Sequence, residues 1–167
     1  FHFPKPTIAM IQGYCIGGGM GLAVACDIRL CEDKSRFAIP AAKLGLGYGY
    51  EGIRRLANLV GPAMVKEIFF TARQFSAGEA QEMGLVNRVL PPHMLAPYVD
   101  DYAKRISENA PMTMESVKAI VQAIQDDESA RDLDALDAMV KACFASQDYI
   151  EGRRAFMEKR KPDFTGS

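Results

Sequence analysis

The chain has 167 residues, enough for one sizeable core or a domain with an appendage, and its 49% hydrophobic and 25% charged content is ordinary for a globular protein. A formal net charge of −1 supplies no basic field for nucleic acid. No apolar run reaches the ~18 residues of a membrane span, so no membrane partner is expected.

Cys15, Cys26, Cys31 and Cys143 show neither a C-x-x-C pair nor a disulfide-like framework. Reduced thiols and a cytoplasmic location are the plain expectation. His2 and His93 stand far apart, which gives a metal site little support and places both most simply at the surface. The opening FHFPKP lacks the basic-then-apolar pattern of a secretory leader, and none is expected.

In chain order, Thr7 to Gln12 (TIAMIQ) is short, apolar and fenced by Pro4, Pro6 and Gly13, which predicts a buried strand. The run Ile16-Gly17-Gly18-Gly19-Met20-Gly21 follows, and Leu22 to Cys26 reads as the first turns of a buried helix. Glycines between a strand and a helix N-terminus admit two readings. They let the two elements pack closely, or they leave backbone N–H groups and the helix dipole facing a negative oxygen. A dinucleotide fingerprint fits poorly, because Leu22 stands where the third glycine belongs and no lone acid follows a second strand.

Asp27 to Cys31 and Arg36 to Ile39 predict two further strands, the second ended by Pro40. Ala41 to Leu44 reads as a single turn. Three alternating glycines in Gly45-Leu46-Gly47-Tyr48-Gly49-Tyr50 permit close approach to a ligand, and the two tyrosines either pack on the core or face such a ligand. Glu51 to Leu59 and Ala63 to Phe70 have helical spacing, separated by Gly61-Pro62. Ser76-Ala-Gly-Glu79 is a capping box opening a short helix, and Leu85 to Leu90 predicts the last strand before Pro91-Pro92.

From residue 92 the pattern turns helical, with three apolar stripes expected to be core. They are Val99, Tyr102, Ala103 and Ile106; then Val117, Ile120, Val121 and Ile124; then Leu133, Leu136, Met139, Val140 and Phe144. Asp148 with Glu151 is expected to cap the last helix.

Four separated blocks carry a resemblance: KPTIAMIQGYCIGGGMGLAVACDIRL, FAIPAAKLGLGYGYEGIRRL, FTARQFSAGEAQEMGLVNRVL and EGRRAFMEKRKPDF. In this order they resemble the enoyl-CoA hydratase/isomerase (crotonase) family over essentially the whole chain. The resemblance implies an α/β fold: a crotonase-like spiral of β-β-α units over residues 1–91, followed over 92–167 by a helical region that forms trimers and contacts coenzyme A. It implies an acyl-CoA substrate, no cofactor beyond the coenzyme A of that substrate, and a homotrimer or hexamer. It also implies that the chain is the C-terminal part of a longer protein, with the second oxyanion donor and much of the adenine pocket in the preceding segment.

For the site, the resemblance makes Gly18 one of two backbone N–H donors to a thioester enolate. Family hydratases add two glutamates that activate water; the matching positions here are Gly21 and Ala41. Losing such groups typically costs about 10²–10⁴ in rate each, which turns the expectation away from hydration. Tyr48 in GLGYGYEG matches the tyrosine of the methylmalonyl-CoA decarboxylase branch, where the enolate forms by loss of CO₂. Glu51 is either a stabilising charge at a helix N-terminus or the proton-shuttling base of a double-bond isomerase. The basic end Phe156 to Lys161 either complements a helix dipole or brings Phe156 and Lys159 to coenzyme A. A catalytically inactive crotonase-fold binding subunit is the reading from a different functional class.

Overall fold

Alternation of short apolar runs with glycine and proline punctuation sets the first half of the chain. The computed structural model describes residues 3–167, so the surface position expected for His2 lies outside the described residues. The elements begin β1 (Ile8–Ile11), β2 (Tyr14–Ile16), α1 (Gly18–Ala25), β3 (Ile28–Glu32) and β4 (Arg36–Ala38). After a 3-10 turn at Pro40–Leu44 come α2 (Tyr50–Val60), α3 (Pro62–Thr71), β5 (Phe75–Ser76), α4 (Ala77–Glu82) and β6 (Arg88–Leu90). Four helices follow: α5 (Pro92–Ser107), α6 (Pro111–Gln125), α7 (Leu133–Ala145) and α8 (Gln147–Glu158).

Contacts divide the chain into two units, Thr7–Asp101 and the residues up to Pro6 together with Tyr102–Ser167. In the first unit, β1 and β6 flank β3, both parallel to it, with Ile8 opposite Ile28 and Leu30 opposite Arg88. A second sheet pairs β2 with β4 in parallel and β4 with β5 antiparallel. Parallel neighbours need a crossover, and α1 supplies it between each first-pass strand and its partner. Each pass therefore lays one strand in each sheet before the chain turns away. This is the expected α/β succession of β-β-α passes.

Met20, Phe37, Leu56, Ile68 and Phe75 close the core between these elements, all essentially inaccessible. Arg29 is buried beside them. Its guanidinium donates to Leu85 O at 2.7 Å and Cys26 O at 2.6 Å, while burial pulls it below the ordinary arginine value. A charged group persists there because both carbonyls would otherwise lack donors.

Several boundaries differ from expectation. Tyr14–Ile16 is a strand in its own right, because Gly13 turns the chain with φ +66° and moves it from one sheet to the other. Helix α1 starts at Gly18, four residues before Leu22, so two of the three consecutive glycines lie inside its first turn. The last strand is only Arg88–Leu90, since the N–H groups of Leu85 and Val86 both bond Ala80 O at the end of α4. The capping box is as expected: Ser76 Oγ accepts from Glu79 N and the Glu79 carboxylate accepts from Ser76 N. Arg73 adds ion pairs to Glu67 and Glu79.

In the helical unit the expected core stripes are open in part. Val117, Val121, Ile124, Leu133 and Phe144 are each at least half exposed, and α7 has no fully buried residue. A helix of a thin layer covers one face only, and among the described residues nothing covers these side chains fully. The cap of the last helix is also different. Ser146 Oγ accepts from Tyr149 N, whereas the buried Asp148 carboxylate accepts from Thr165 N at 2.8 Å and Gly166 N at 3.0 Å. Glu151 pairs with Arg160 through both oxygens and accepts from Asp163 N. These acids fasten the C-terminal tail along α8.

The Ser76 backbone N–H, then Arg73, hold the Glu79 carboxyl at about 2, and Arg160, then the Asp163 N–H, hold Glu151 at about 2. Both values lie below the ordinary 4.5, so their stabilisation is complete above that value and is lost as pH falls toward about 2. Unfolding free energy measured in urea should fall over that interval, and a Glu79→Gln, Glu151→Gln double variant should flatten the dependence. Ser76→Ala should cost about 1 kcal/mol at neutral pH.

Candidate functional site

The glycine run owes its geometry to Gly17. Its N–H donates to Ala38 O at 2.8 Å, continuing the β2–β4 ladder by one bond. At φ +56° and ψ −115° it then turns the chain out of the sheet, a conformation open to glycine and closed to residues with a Cβ. Gly21 N bonds Gly17 O at 3.1 Å, closing the first turn of α1. The N–H groups ahead of it belong to the helix start, where no intrahelical acceptor exists and the dipole is positive. Gly18 and Gly19 are exposed, and nothing lies within 4 Å of where a Cβ would stand on either. The Cβ side of both glycines is therefore open space.

Ala41, on the 3-10 turn, is 4% exposed, and the Leu46 N–H bonds its carbonyl. Gly45 closes that turn in the left-handed region at φ +63°. The loop beyond carries its two tyrosines to different ends. Tyr50 is largely exposed, whereas Tyr48 is half-buried with its ring edge-on to Phe69, centroids 5.0 Å apart and planes at 72°. The Tyr48 hydroxyl lies 3.9 Å from the place of a Cβ on Gly21. Thus the fold brings together Tyr48 and the position where the resemblance implies a glutamate, although they are far apart in sequence.

Glu51 sits in the first turn of α2 with its side chain 62% exposed and paired to Arg54 at 2.9 Å. That arrangement fits a stabilising charge at a helix N-terminus. Phe156 and Lys159 belong to the helical unit. Phe156 is mostly exposed and lines a cavity of about 510 Å³ with Met112, Val140, Phe144, Tyr149 and Phe164. Lys159 ends α8 in the left-handed conformation at φ 53°, exposed to solvent.

Burial pushes the Cys15 thiol up to about 11 and Cys31 to about 12, so both stay protonated at neutral pH and are poor nucleophiles. Among the described residues no three of His, Cys, Asp and Glu gather as a metal site.

Gly52 was not singled out by sequence reasoning, yet the place of a Cβ on it lies 3.4 Å from the Tyr48 ring, against which Phe69 of the predicted helix Ala63 to Phe70 packs edge-on. The available signal was a glycine inside a helical pattern, four residues after the tyrosine.

The sequence model of the enoyl-CoA hydratase/isomerase family matches residues 1–167. The chain belongs to that family. It is 41% identical over 162 residues to a crotonyl-CoA hydratase of Syntrophomonas wolfei, which covers 96% of this chain and 62% of the relative. A carnitinyl-CoA dehydratase of Salmonella arizonae is 36% identical over 170 residues, 99% of this chain and 65% of its own. Among solved structures, an enoyl-CoA hydratase/carnithine racemase from Magnetospirillum magneticum superposes with a TM-score of 0.89 at 35% identity, covering 98% of this chain and 61% of that one. The enoyl-CoA hydratase from Bacillus anthracis gives 0.86 at 35% identity, over 98% and 64%. The chain thus spans a little over three fifths of the length of these relatives.

Two substitutions test the glycine geometry. Gly17→Ala should destabilise the protein by about 1–3 kcal/mol, the cost of forcing a Cβ into a disallowed backbone region. Gly18→Ala, which meets open space and helical backbone, should leave the thermal midpoint unchanged or slightly raised.

Proposed function

We propose that this chain carries the catalytic glycine turn of an acyl-CoA enzyme that forms a thioester enolate by decarboxylating a small 2-carboxyacyl-CoA, such as methylmalonyl-CoA. The observation that carries it is the Tyr48 hydroxyl at Gly21, with no carboxylate at position 21 or 41. Water addition needs a group to take its proton, and neither glycine nor alanine can. Decarboxylation needs none. The bond from Cα to the carboxylate breaks, CO₂ leaves, and the electron pair moves through Cα to the thioester oxygen.

That oxygen gains negative charge at the moment the Gly18 N–H can stabilise it, which is where a preorganised donor lowers the barrier. A neutral phenol at Tyr48 then delivers its proton to Cα and recovers one from water. Water excluded from around the substrate carboxylate favours the same step, because the neutral product gives up no hydration. Coenzyme A enters only as part of the substrate. Phe156 and Lys159 approach the adenine and phosphates of coenzyme A from a neighbouring subunit, and the open apolar faces of α6 and α7 favour assembly as a homotrimer or hexamer.

Hydration is the second reading, favoured by the names of the relatives, which are hydratases and dehydratases. Isomerisation by Glu51 ranks below it, since that carboxylate is exposed and engaged by Arg54.

A substrate panel on the intact protein separates these readings. CO₂ release from methylmalonyl-CoA should fall by about 10²–10⁴ in Tyr48→Phe and stay near wild type in Glu51→Gln. Efficient hydration of crotonyl-CoA, untouched by either change, would replace the decarboxylase reading with the hydratase one. Failure to bind any thioester in calorimetry would leave a binding subunit of another kind.

A further inference from the structure

Tyr48 stands between Gly47 and Gly49, so its backbone does little to fix its side chain. What locates the ring is packing. Phe69 meets it edge-on at 5.0 Å from α3. From α2, the place of a Cβ on Gly52 lies 3.4 Å from Tyr48 Cε1 and 3.5 Å from Cδ1. Beyond chain neighbours and its own helix, Gly52 has no other atom within 4 Å of that place. At Gly21 on α1 the only such atom is the Tyr48 oxygen. Two helices thus each present a side-chain-free face to one phenol, one at its ring and the other at its hydroxyl.

Glycine weakens a helix relative to alanine, and Gly52 is exposed, so neither helix propensity nor core packing calls for it. A Cβ there would already be in contact with the ring, so any larger side chain would need the space the ring occupies. Among the described residues none hydrogen-bonds the Tyr48 hydroxyl, whose donor and acceptor capacity stays open to a ligand.

Resting on the decarboxylase reading above, we infer that Gly52 and Phe69 are positioning residues that hold the Tyr48 phenol with its hydroxyl against Gly21. Phe69 packs on the ring and Gly52 leaves its place free, so both act on the reaction only through Tyr48. A proton donor must be held within about 0.5 Å of its productive place, and a shift of ~1 Å costs about 10²-fold in rate.

The test is methylmalonyl-CoA decarboxylation by the intact protein and its Tyr48→Phe, Gly52→Val, Phe69→Leu and Gly52→Val/Tyr48→Phe variants. Gly52→Val and Phe69→Leu should lower kcat by about 10²-fold with KM nearly unchanged. The double variant should lose no more than Tyr48→Phe alone, because a displaced ring without its hydroxyl has nothing left to misplace. Phe69→Leu keeps the test decisive if Gly52→Val folds poorly.

Wild-type kcat in both Gly52→Val and Phe69→Leu, beside a Tyr48→Phe loss, would overturn the positioning role and leave the decarboxylase reading standing. A double variant weaker than Tyr48→Phe would also overturn it, as a general structural effect. Full activity in Tyr48→Phe, or no CO₂ release by the wild type, would overturn the decarboxylase reading and this inference with it.

Discussion

One backbone hydrogen bond, from the Gly17 N–H to Ala38 O, decides where the chemistry of this chain can stand. It continues the β2–β4 pairing for one residue beyond the strands, and the positive φ at Gly17 then forces the chain out of the sheet. The first donors of α1 are thereby anchored to a rigid ladder on one side and the buried Met20 on the other. For the proposed oxyanion role this matters, because such a site works only if its N–H groups need not reorganise when charge appears.

Around that anchor the chain has exchanged charge for small residues and one phenol. Gly21 and Ala41 leave the vicinity of the glycine turn without the carboxylates of a water-adding site, and Ala41 is itself part of the core. The Tyr48 hydroxyl is the polar group that reaches Gly21, and it arrives by aromatic packing on Phe69. The buried thiols of Cys15 and Cys31, raised by burial, add no competing nucleophile.

The helical unit obeys a different economy. Its tail is tied along α8 by carboxylates, with Asp148 taking the Thr165 and Gly166 N–H groups and Glu151 holding Arg160 and the Asp163 N–H. Polar contacts of this kind fix the end of a chain without a large core. The apolar area of the unit is spent elsewhere, on faces such as Val117, Val121 and Ile124 that stay open within the chain. Apolar faces of that extent stabilise a structure only when something covers them.

Much was legible in the residues themselves because it rests on local rules. Alternation, proline punctuation and the Ser76–Glu79 box read out as strands, turns and a capped helix, and the glycine run read out as a strand-to-helix turn. Local rules do not say which side of an amphipathic helix finds a neighbour, and so Val117, Val121, Ile124, Leu133 and Phe144, expected as core, are open within the chain while Ile120, Leu136, Met139 and Val140 are partly covered. Nor do they distinguish an acid that caps its own helix from one that holds a distant tail, which is the difference at Asp148. The Tyr48 slot is of the same kind. Gly21, Gly52 and Phe69 lie on three separate helices, and only their packing around one ring shows what each glycine is for. The sequence by itself determined most of the elements, the glycine turn and the absence of carboxylates at 21 and 41. The tertiary structure alone decided which of the remaining groups meet, because contact across helices depends on packing that no spacing along the chain encodes.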